Sequence, residues 1–416
     1  MKRLVFPFVG ILLLSLFFIS CESTVQSGAD PVYDKIYKSV DSIRIALQTA
    51  TGKSVPSLNV FISSPSQEYL VSSANHSENL VTKDTYFRFA SNTKNFTSAS
   101  VLNMQEDGWL NINDKIIDTI PGSNTTYVPS TSDWNVPYKN QITIKELLQH
   151  SAGIYDVSND TVPGYNDGYV RHTLGVDPNH QFSAPELVGV VSTFNLSYFP
   201  PGTNNHYSNT GYTMLSEIIA RVYSQHAGTS KIYSDYIYNY ITGGSAPVPL
   251  GVRFPHLASD NVIPSPNAPA TVHYQDGSVI TTSVFNKSAN VGEGNGYGTM
   301  SMLSTYIRSM MTGTNALSNE TVNLMKNELA PGSPNYALGC TLVTNLGYGH
   351  TGATLGYFSC MFYDPLIGVT VVGMIPFWDL TNNGVNFYKP FYAMLDACWS
   401  ARSALGYPGK PVTGDK

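Results

Sequence analysis

The sequence predicts a mixed α/β fold of the α+β kind, in which both ends of the chain build one sheet and a helical lobe is inserted between them. Strand-like segments lie near the two ends, within 59–72 and 347–374. The long region between them, 111–325, is instead rich in loops and helices. We therefore expect an active-site cleft between the sheet and the lobe.

The first element is a helix that should pack on the sheet. Asp30 caps it and Pro31 starts it, and apolar residues then recur at helical spacing until Gly52 ends it. Two short strands follow at 59–63 and 68–72, and a Ser-Pro-Ser turn joins them as a hairpin. Helix and hairpin together form the N-terminal part of the predicted sheet layer.

The later elements carry the chemistry or close the domain. A helix opens at Ser91 and ends near Gly108, so the Ser91 hydroxyl stands at a helix N-terminus, where free N–H groups favour negative charge. Thr143 and Glu146 form a capping box for a short helix. The chain ends with three strands and one helix, at 347–353, 357–363, 369–374 and 390–403.

Three short motifs follow one another along the chain: Ser91-Asn92-Thr93-Lys94, Tyr207-Ser208-Asn209 and His350-Thr351-Gly352. Each is weak evidence alone, but no other lysine here has a serine three residues before it. On a helix, Lys94 lies one turn from Ser91 on the same face. A serine hydroxyl hardly ionises near neutral pH, so it needs such a partner and donors for the oxyanion it forms. Together the motifs indicate a serine acyl-transfer enzyme.

The chain resembles the penicillin-recognising serine hydrolases, which include DD-peptidases, class C β-lactamases and family VIII esterases. The resemblance covers about 30–403 and rests on the three motifs together with 87–91, 142–153 and 207–212. It implies a β-lactamase/transpeptidase-like fold, with a mainly antiparallel five-stranded sheet flanked by helices. It also implies an inserted helical lobe and a cleft that joins all three motifs.

The resemblance also implies catalytic roles. Ser91 attacks the carbonyl of the substrate, while Lys94 and Tyr207 share the proton of its hydroxyl. Tyr207 then returns a proton to the leaving group. Because the lysine and the tyrosine form a coupled pair, the base is not assigned to either one alone. The backbone N–H groups of Ser91 and Ala353 are the expected oxyanion donors.

The remaining motif residues are expected to bind the substrate or the lysine. Asn209 should hold the lysine or a substrate amide, and Thr351 a substrate carboxylate, with Gly352 beside it. His350 takes a place often held by a lysine. If its imidazolium binds an anionic substrate, affinity should improve as the pH falls through roughly 6 to 7. Taken singly, each of these residues could also be an ordinary turn or strand residue.

The expected function is a DD-carboxypeptidase-like or D-amino-acid peptide hydrolase of the cell envelope. The Tyr-Ser-Asn and His-Thr-Gly motifs argue against a β-lactamase, which stays an alternative. Lys326 is the only cation from 309 to 349, so a partner for a substrate carboxylate is missing there and a family VIII-type carboxylesterase also remains open. A non-catalytic binding protein of the same fold is a further alternative, but the nucleophile and its lysine are both present.

Composition limits the partners. The net charge is −6 with only 23 Lys and Arg, which gives no basic patch for nucleic acid. No Cys or His spacing suggests a metal site, so we expect no metal or other cofactor. The expected partner is a small molecule or peptide: a peptidoglycan stem peptide, an ester or a β-lactam. Three cysteines beyond Cys21 allow at most one internal disulfide.

The N-terminus predicts export. Residues 1–21 have a basic start and an apolar stretch, and Ser20 before Cys21 is typical of a bacterial lipoprotein cleavage site. Cys21 would then be lipidated and would anchor the protein in the envelope membrane; an ordinary secretory signal or a retained anchor is the alternative. A flexible linker (22–29) would precede one hydrolase domain (30–404) and a short tail (405–416). Within that domain, the sheet is expected from about 30–90 and 326–404, and the helical lobe from about 91–325.

Cys21→Ser tests the lipid anchor, because only the cysteine can carry the lipid. We expect a clickable fatty acid to label the wild type in cells and to fail on the variant. A variant that is still labelled, or an exported wild type without lipid, would show that the segment is a plain signal.

Overall fold

The structure is a computed structural model that describes residues 30–411. Cys21, the signal segment and the linker lie outside these residues, as does the end of the tail.

The helices are α1 (Pro31–Thr51), α2 (Thr93–Glu106), α3 (Ile144–Leu148), α4 (Tyr169–Val176), α5 (Ala184–Thr193), α6 (Asn209–Ala227), α7 (Tyr233–Tyr236), α8 (Met300–Met311), α9 (Asn319–Asn327) and α10 (Lys389–Ala404). The strands are β1 (Ser57–Ser63), β2 (Glu68–Ala74), β3 (Phe87–Arg88), β4 (Ala270–His273), β5 (Val279–Thr282), β6 (Tyr297–Gly298), β7 (Thr341–Val343), β8 (Gly347–Thr354), β9 (Tyr357–Asp364), β10 (Val369–Ile375) and β11 (Phe377–Asp379).

The main sheet joins the two ends of the domain. Its strand order is β2-β1-β10-β9-β8-β7, and all neighbours are antiparallel. The central pairing sets Phe61 opposite Val372, so the N-terminal hairpin is hydrogen-bonded to the C-terminal strands. The predicted antiparallel sheet flanked by helices is confirmed. The short strand β7 makes it six-stranded, one strand more than expected.

Helices cover both faces of this sheet. On the outer face, α1 and α10 pack on each other and on β1, where Val40, Val60 and Met394 are buried. On the inner face, α2 and α8 separate the sheet from the lobe. Cys360 on β9 and Cys398 on α10 are buried thiols in the outer layer, with their sulfur atoms 3.7 Å apart.

Local signals set the ends of the predicted elements correctly. The Asp30 carboxylate accepts the backbone N–H of Val32 at the start of α1, and Gly52 ends this helix with a positive φ of 67°. Thr143 and Glu146 form the expected capping box before α3. The helix predicted to open at Ser91 begins with a short 3₁₀ turn and becomes α-helical at α2.

The central region holds more than loops and helices. Strands β4 and β5 form a small second sheet with β11, which follows the last strand of the main sheet. Helix α8 packs on β9 and β10 rather than within the lobe. Sequence periodicity did not predict the small sheet because its strands are only three or four residues long. Between residues 30 and 411, no helix is both long and apolar enough to cross a membrane.

Candidate active site

A cleft of about 1380 Å³ opens between the main sheet and the lobe. It contains seven of the eight predicted catalytic and binding residues in its lining, namely Ser91, Tyr207, Asn209, His350, Thr351, Gly352 and Ala353. Lys94 lies directly beneath this surface. A second cavity of about 760 Å³, lined mainly by α5, α6 and the segment that leads into α7, contains none of these residues. The three motifs, which are far apart in the sequence, therefore meet at one place.

Ser91 lies in the 3₁₀ turn Ala90–Asn92 that leads into α2. Ala90 has a φ of 53°, the left-handed region that non-glycine residues seldom adopt. This turn brings the Ser91 hydroxyl to the cleft surface while the following helix runs into the core. Lys94, one turn later, places its Nζ 3.2 Å from Ser91 Oγ. The predicted spacing of serine and lysine is thus realised.

The Lys94 amino group is fully buried and surrounded by acceptors. Its Nζ donates to Asn209 Oδ1 at 2.7 Å and to the Glu293 carbonyl at 2.8 Å, and Glu293 Oε2 lies 3.4 Å away. Burial lowers the pKa of Lys94 below its usual value, and the negative charges of Glu293 and Asp156 oppose that shift. Asn209 therefore holds the lysine, which is one of the two roles expected for it.

Tyr207 covers the lysine from the cleft side. Lys94 Nζ lies 4.7 Å from the centre of the Tyr207 ring, and 37% of the tyrosine remains exposed to the cleft. Burial of its hydroxyl raises the pKa of Tyr207 well above 10. The hydrogen bond between this hydroxyl and Ser91 opposes the shift. The phenol is consequently protonated at neutral pH.

The edge of β8 faces the Ser91 turn. Strand β7 covers this edge only along 347–349, where the Gly349 N–H donates to the Cys340 thiol. Backbone groups alternate between the two edges of a strand, so the N–H of Ala353, four residues later, points to the same side. At Ala353, no strand of the described chain pairs with this edge of β8. Ala353 N–H is thus available beside Ser91, as expected of an oxyanion donor.

His350 differs from its expected role. The side chain is only 3% exposed, and burial together with the nearby charge of Lys94 lowers its pKa from 6.5 to about 3. Its Nε2 lies 3.1 Å from the Tyr336 hydroxyl, and its Nδ1 lies 2.5 Å from the Thr351 carbonyl. The expectation that an imidazolium improves anion affinity between pH 6 and 7 is therefore wrong, because the ring stays neutral throughout that range.

Two buried carboxylates were not predicted as site residues. Glu293 lies beside Lys94, and Asp156 accepts the backbone N–H of Asn209 at 3.1 Å. Burial raises the pKa of Asp156, and its hydrogen bonds oppose the shift. A signal for Glu293 did exist, because it is a single acidic residue within the glycine-rich run 292–298. Such a run allows close backbone approach, and a Cβ on Gly296 would meet Phe89 at 2.2 Å.

The rest of the cleft is aromatic on one side and acidic on the other. Its aromatic wall consists of Tyr274, Phe358, Trp378, Phe387, Tyr388 and Phe391. The opposite side carries Asp156, Asp160 and Glu293. The cationic side chain in the lining is Arg171, and its guanidinium is engaged by Asp167. Lys326, the cation noted in the sequence, instead lies over the ring of Tyr348.

Comparison with known proteins agrees with this fold. A family model described as Beta-lactamase matches residues 45–376. Protein flp of Staphylococcus aureus is 30% identical over 157 residues, which are 37% of this chain but only 26% of that protein. The chain thus matches about a quarter of the length of this curated relative.

Two solved structures resemble the whole domain. A D-stereospecific amidohydrolase from Streptomyces sp. has a TM-score of 0.65 at 20% identity, covering 87% of this chain and 98% of its own. The D-amino acid amidase from Ochrobactrum anthropi SV3, complexed with D-phenylalanine, has a TM-score of 0.66 at 20% identity, covering 88% and 99%. At this identity they establish a shared fold. With the family model matching most of its length, the chain belongs to the Beta-lactamase family.

Gly352→Ala tests the close packing of β8 against the Ser91 turn. A Cβ at this position would meet the Phe89 carbonyl at 2.3 Å and Ser359 Oγ at 2.7 Å, so β8 must move away from Ser91. We expect a loss of hydrolysis of at least about a hundredfold, since small displacements of reacting groups cost that much. Gly189→Ala on α5, outside the cleft lining, is the matched control, because its Cβ would make only ordinary contacts, the nearest with Asp133 Cβ at 3.5 Å. Full activity of Gly352→Ala would contradict the packing.

The buried neutral His350 predicts acid sensitivity of the fold. Below about pH 6.5 the unfolded chain protonates this histidine and the folded chain does not, so stability is lost as the pH falls towards 3. We expect this group to remove about 1.4 kcal/mol of unfolding free energy per pH unit. Denaturant unfolding between pH 7 and 4.5 should show a shallower decline for His350→Gln. The exposed His76→Gln is the control, and equal slopes for all three proteins would contradict the prediction.

Proposed function

We propose that this chain is a serine hydrolase that forms an acyl-enzyme on Ser91 and cleaves amides or short peptides of D-amino acids with bulky apolar side chains. The observation that carries the proposal is the 3.2 Å approach of Lys94 Nζ to Ser91 Oγ, with the Lys94 side chain fully buried. Of the two expected functions, the proposal favours a D-amino-acid peptide hydrolase over a DD-carboxypeptidase.

The acceptors around Lys94 support a role in removing the serine proton. Asn209 Oδ1 and the Glu293 carbonyl take two hydrogens of the amino group. The lone pair of the neutral amine then points towards Ser91 and can accept the proton of the serine hydroxyl. Burial favours this neutral form. Tyr207, whose pKa is raised, keeps its proton and can pass it to the leaving group.

The oxyanion formed during attack needs two donors at the cleft surface. We assign them to the backbone N–H groups of Ser91 and Ala353, which belong to the 3₁₀ turn before α2 and to the facing strand β8. Backbone donors of this kind are fixed by the fold and need no reorganisation during the reaction. Loss of one such donor in other enzymes reduces turnover about a hundredfold or more.

The substrate class is inferred from the charges of the cleft. Three acidic side chains and a neutral His350 disfavour a substrate carboxylate near Thr351, whereas they suit a free amino group. The aromatic wall around Trp378 suits a bulky apolar side chain. The names of the two solved relatives, a D-stereospecific amidohydrolase and a D-amino acid amidase, support the D configuration.

A carboxylesterase is the second candidate. The same shortage of free cations at Thr351 favours substrates without a carboxylate, and an ester of an apolar acid fits the aromatic wall equally well. A β-lactamase is less favoured, because a penicillin carboxylate would find no cationic partner at His350. As for location, we propose a lipid anchor at Cys21 in the cell envelope, which rests on the N-terminal sequence alone.

A substrate panel with matched serine variants tests this proposal. The panel contains D- and L-phenylalanine amide, p-nitrophenyl acetate, a peptide ending in D-Ala-D-Ala, and nitrocefin. We expect D-phenylalanine amide to be the best amide, the nitrophenyl ester to be cleaved, and the last two to react slowly. Ser91→Ala should reduce turnover by about three powers of ten or more.

Ser100→Ala is the control, since this buried serine lies on α2, the helix that follows Ser91, and its hydroxyl donates to the Phe96 carbonyl. It should keep nearly full activity. Turnover by Ser91→Ala close to that of the wild type would refute the mechanism. Rapid nitrocefin hydrolysis would instead indicate a β-lactamase, and efficient release of terminal D-alanine would reveal a carboxylate site. A preference for the ester over every amide would favour the carboxylesterase.

A further inference from the structure

Tyr336 connects two buried histidines that flank the cleft. Its hydroxyl lies 3.1 Å from His150 Nε2 and 3.1 Å from His350 Nε2. His150 follows α3 in the lobe, whereas His350 is on β8 of the main sheet. Both imidazoles are at most 6% exposed. One phenol therefore bridges the two layers whose junction forms the cleft.

Backbone groups fix both ends of this bridge. The Ser208 N–H, in the second motif, donates to His150 Nδ1 at 3.1 Å. At the other end, His350 Nδ1 lies 2.5 Å from the Thr351 carbonyl, in the third motif. An amide N–H can only donate and a carbonyl can only accept.

These two ends determine the tautomer of each histidine, while the Tyr336 hydroxyl between them also interacts with the Tyr212 hydroxyl. Because His150 Nδ1 accepts, a neutral ring carries its hydrogen on Nε2 and donates it to the Tyr336 oxygen. Because His350 Nδ1 must donate to a carbonyl, its Nε2 is bare and accepts the Tyr336 hydrogen. All hydrogen bonds then run in one direction, from the Ser208 N–H to the Thr351 carbonyl. We call these three side chains, His150, Tyr336 and His350, the relay.

We propose that Tyr336 is a positioning residue that locks His350 in its Nδ1–H form and holds the second and third motifs at a fixed separation across the cleft. This inference rests on the proposed function, because the separation matters through Tyr207. The ring centre of Tyr207 lies 4.3 Å from that of His150 and 6.5 Å from that of His350. The relay thus packs behind the ring of Tyr207, whose hydroxyl interacts with Ser91.

The relay also explains why this position stays uncharged. A proton added to His350 Nε2 would face the Tyr336 hydroxyl, which would have to turn its hydrogen away from its acceptor. The titratable groups facing the relay from the packed elements add no compensating negative charge next to the ring; they are Lys94, His206, Tyr207, Tyr212 and Cys340, whose pKa is raised by burial. A relay of this kind keeps the third motif neutral where a lysine would supply a positive charge.

Nitrogen NMR of the full chain with ¹⁵N-labelled histidine tests the relay without any substrate. We expect His150 as the Nε2–H tautomer and His350 as the Nδ1–H tautomer, with neither ring titrating between pH 5 and 8. The single variants His150→Gln and His350→Gln assign the signals. A His350 that carries its hydrogen on Nε2, or that titrates in this range, would overturn the proposal.

Tyr336→Phe then tests the positioning role. We expect a mixed tautomer at His350 and a fall in kcat of about tenfold with KM nearly unchanged, which corresponds to one lost hydrogen bond. Tyr236→Phe is the matched control, because it removes a buried phenol that donates to Asn103 Oδ1 at 2.8 Å within the lobe. It should leave both kcat and the histidine spectra unchanged.

The two arms separate the possible failures. Equal kcat values for Tyr336→Phe and Tyr236→Phe would contradict the positioning role of Tyr336. If Tyr336→Phe does not fold, the wild-type tautomers alone decide whether the relay exists. An inactive wild type with the expected tautomers would overturn the proposed function, and with it the positioning role, but not the relay itself.

Discussion

The burial of the Lys94 amino group is the constraint on which the rest of the site depends. An amino group removed from water is costly unless acceptors surround it. Ser91 supplies one acceptor from the preceding turn, Asn209 another from the start of α6, and Glu293 a third from a glycine-rich loop. Three segments that are far apart in the sequence must therefore meet at one nitrogen atom. Packing of the lobe on α2 thus completes the surroundings of Lys94 beside Ser91.

Close packing of the sheet supplies the other half of the site. Strand β8 can approach the Ser91 turn because position 352 is glycine, and any Cβ there would meet the Phe89 carbonyl. This approach brings the free edge of β8, with the Ala353 N–H, next to the serine. The turn itself holds Ala90 in the left-handed region. Strain of this kind persists only where the surroundings impose it, and here α2 and the sheet impose it from opposite sides.

The electrostatics of the cleft narrow its chemistry. Burial keeps His350 neutral, and the relay through Tyr336 gives each nitrogen of its ring a defined partner. Asp156 and Glu293 add negative charge on the opposite side, while Trp378 and its neighbours make the remaining wall apolar. These features support the proposed preference for an amine or an uncharged ester over a carboxylate.

The sequence by itself determined the local features: the caps of α1 and α3, the hairpin, strands β8, β9 and β10, and the Ser91 to Lys94 spacing. These depend on neighbours within a few residues, so their patterns are visible along the chain. Only the tertiary structure decided the protonation of His350, the place of Glu293 beside Lys94, the bridge through Tyr336 and the small sheet of β4, β5 and β11. These features depend on burial and on contacts between segments up to some 200 residues apart. Neither cause leaves a periodic signal in the sequence.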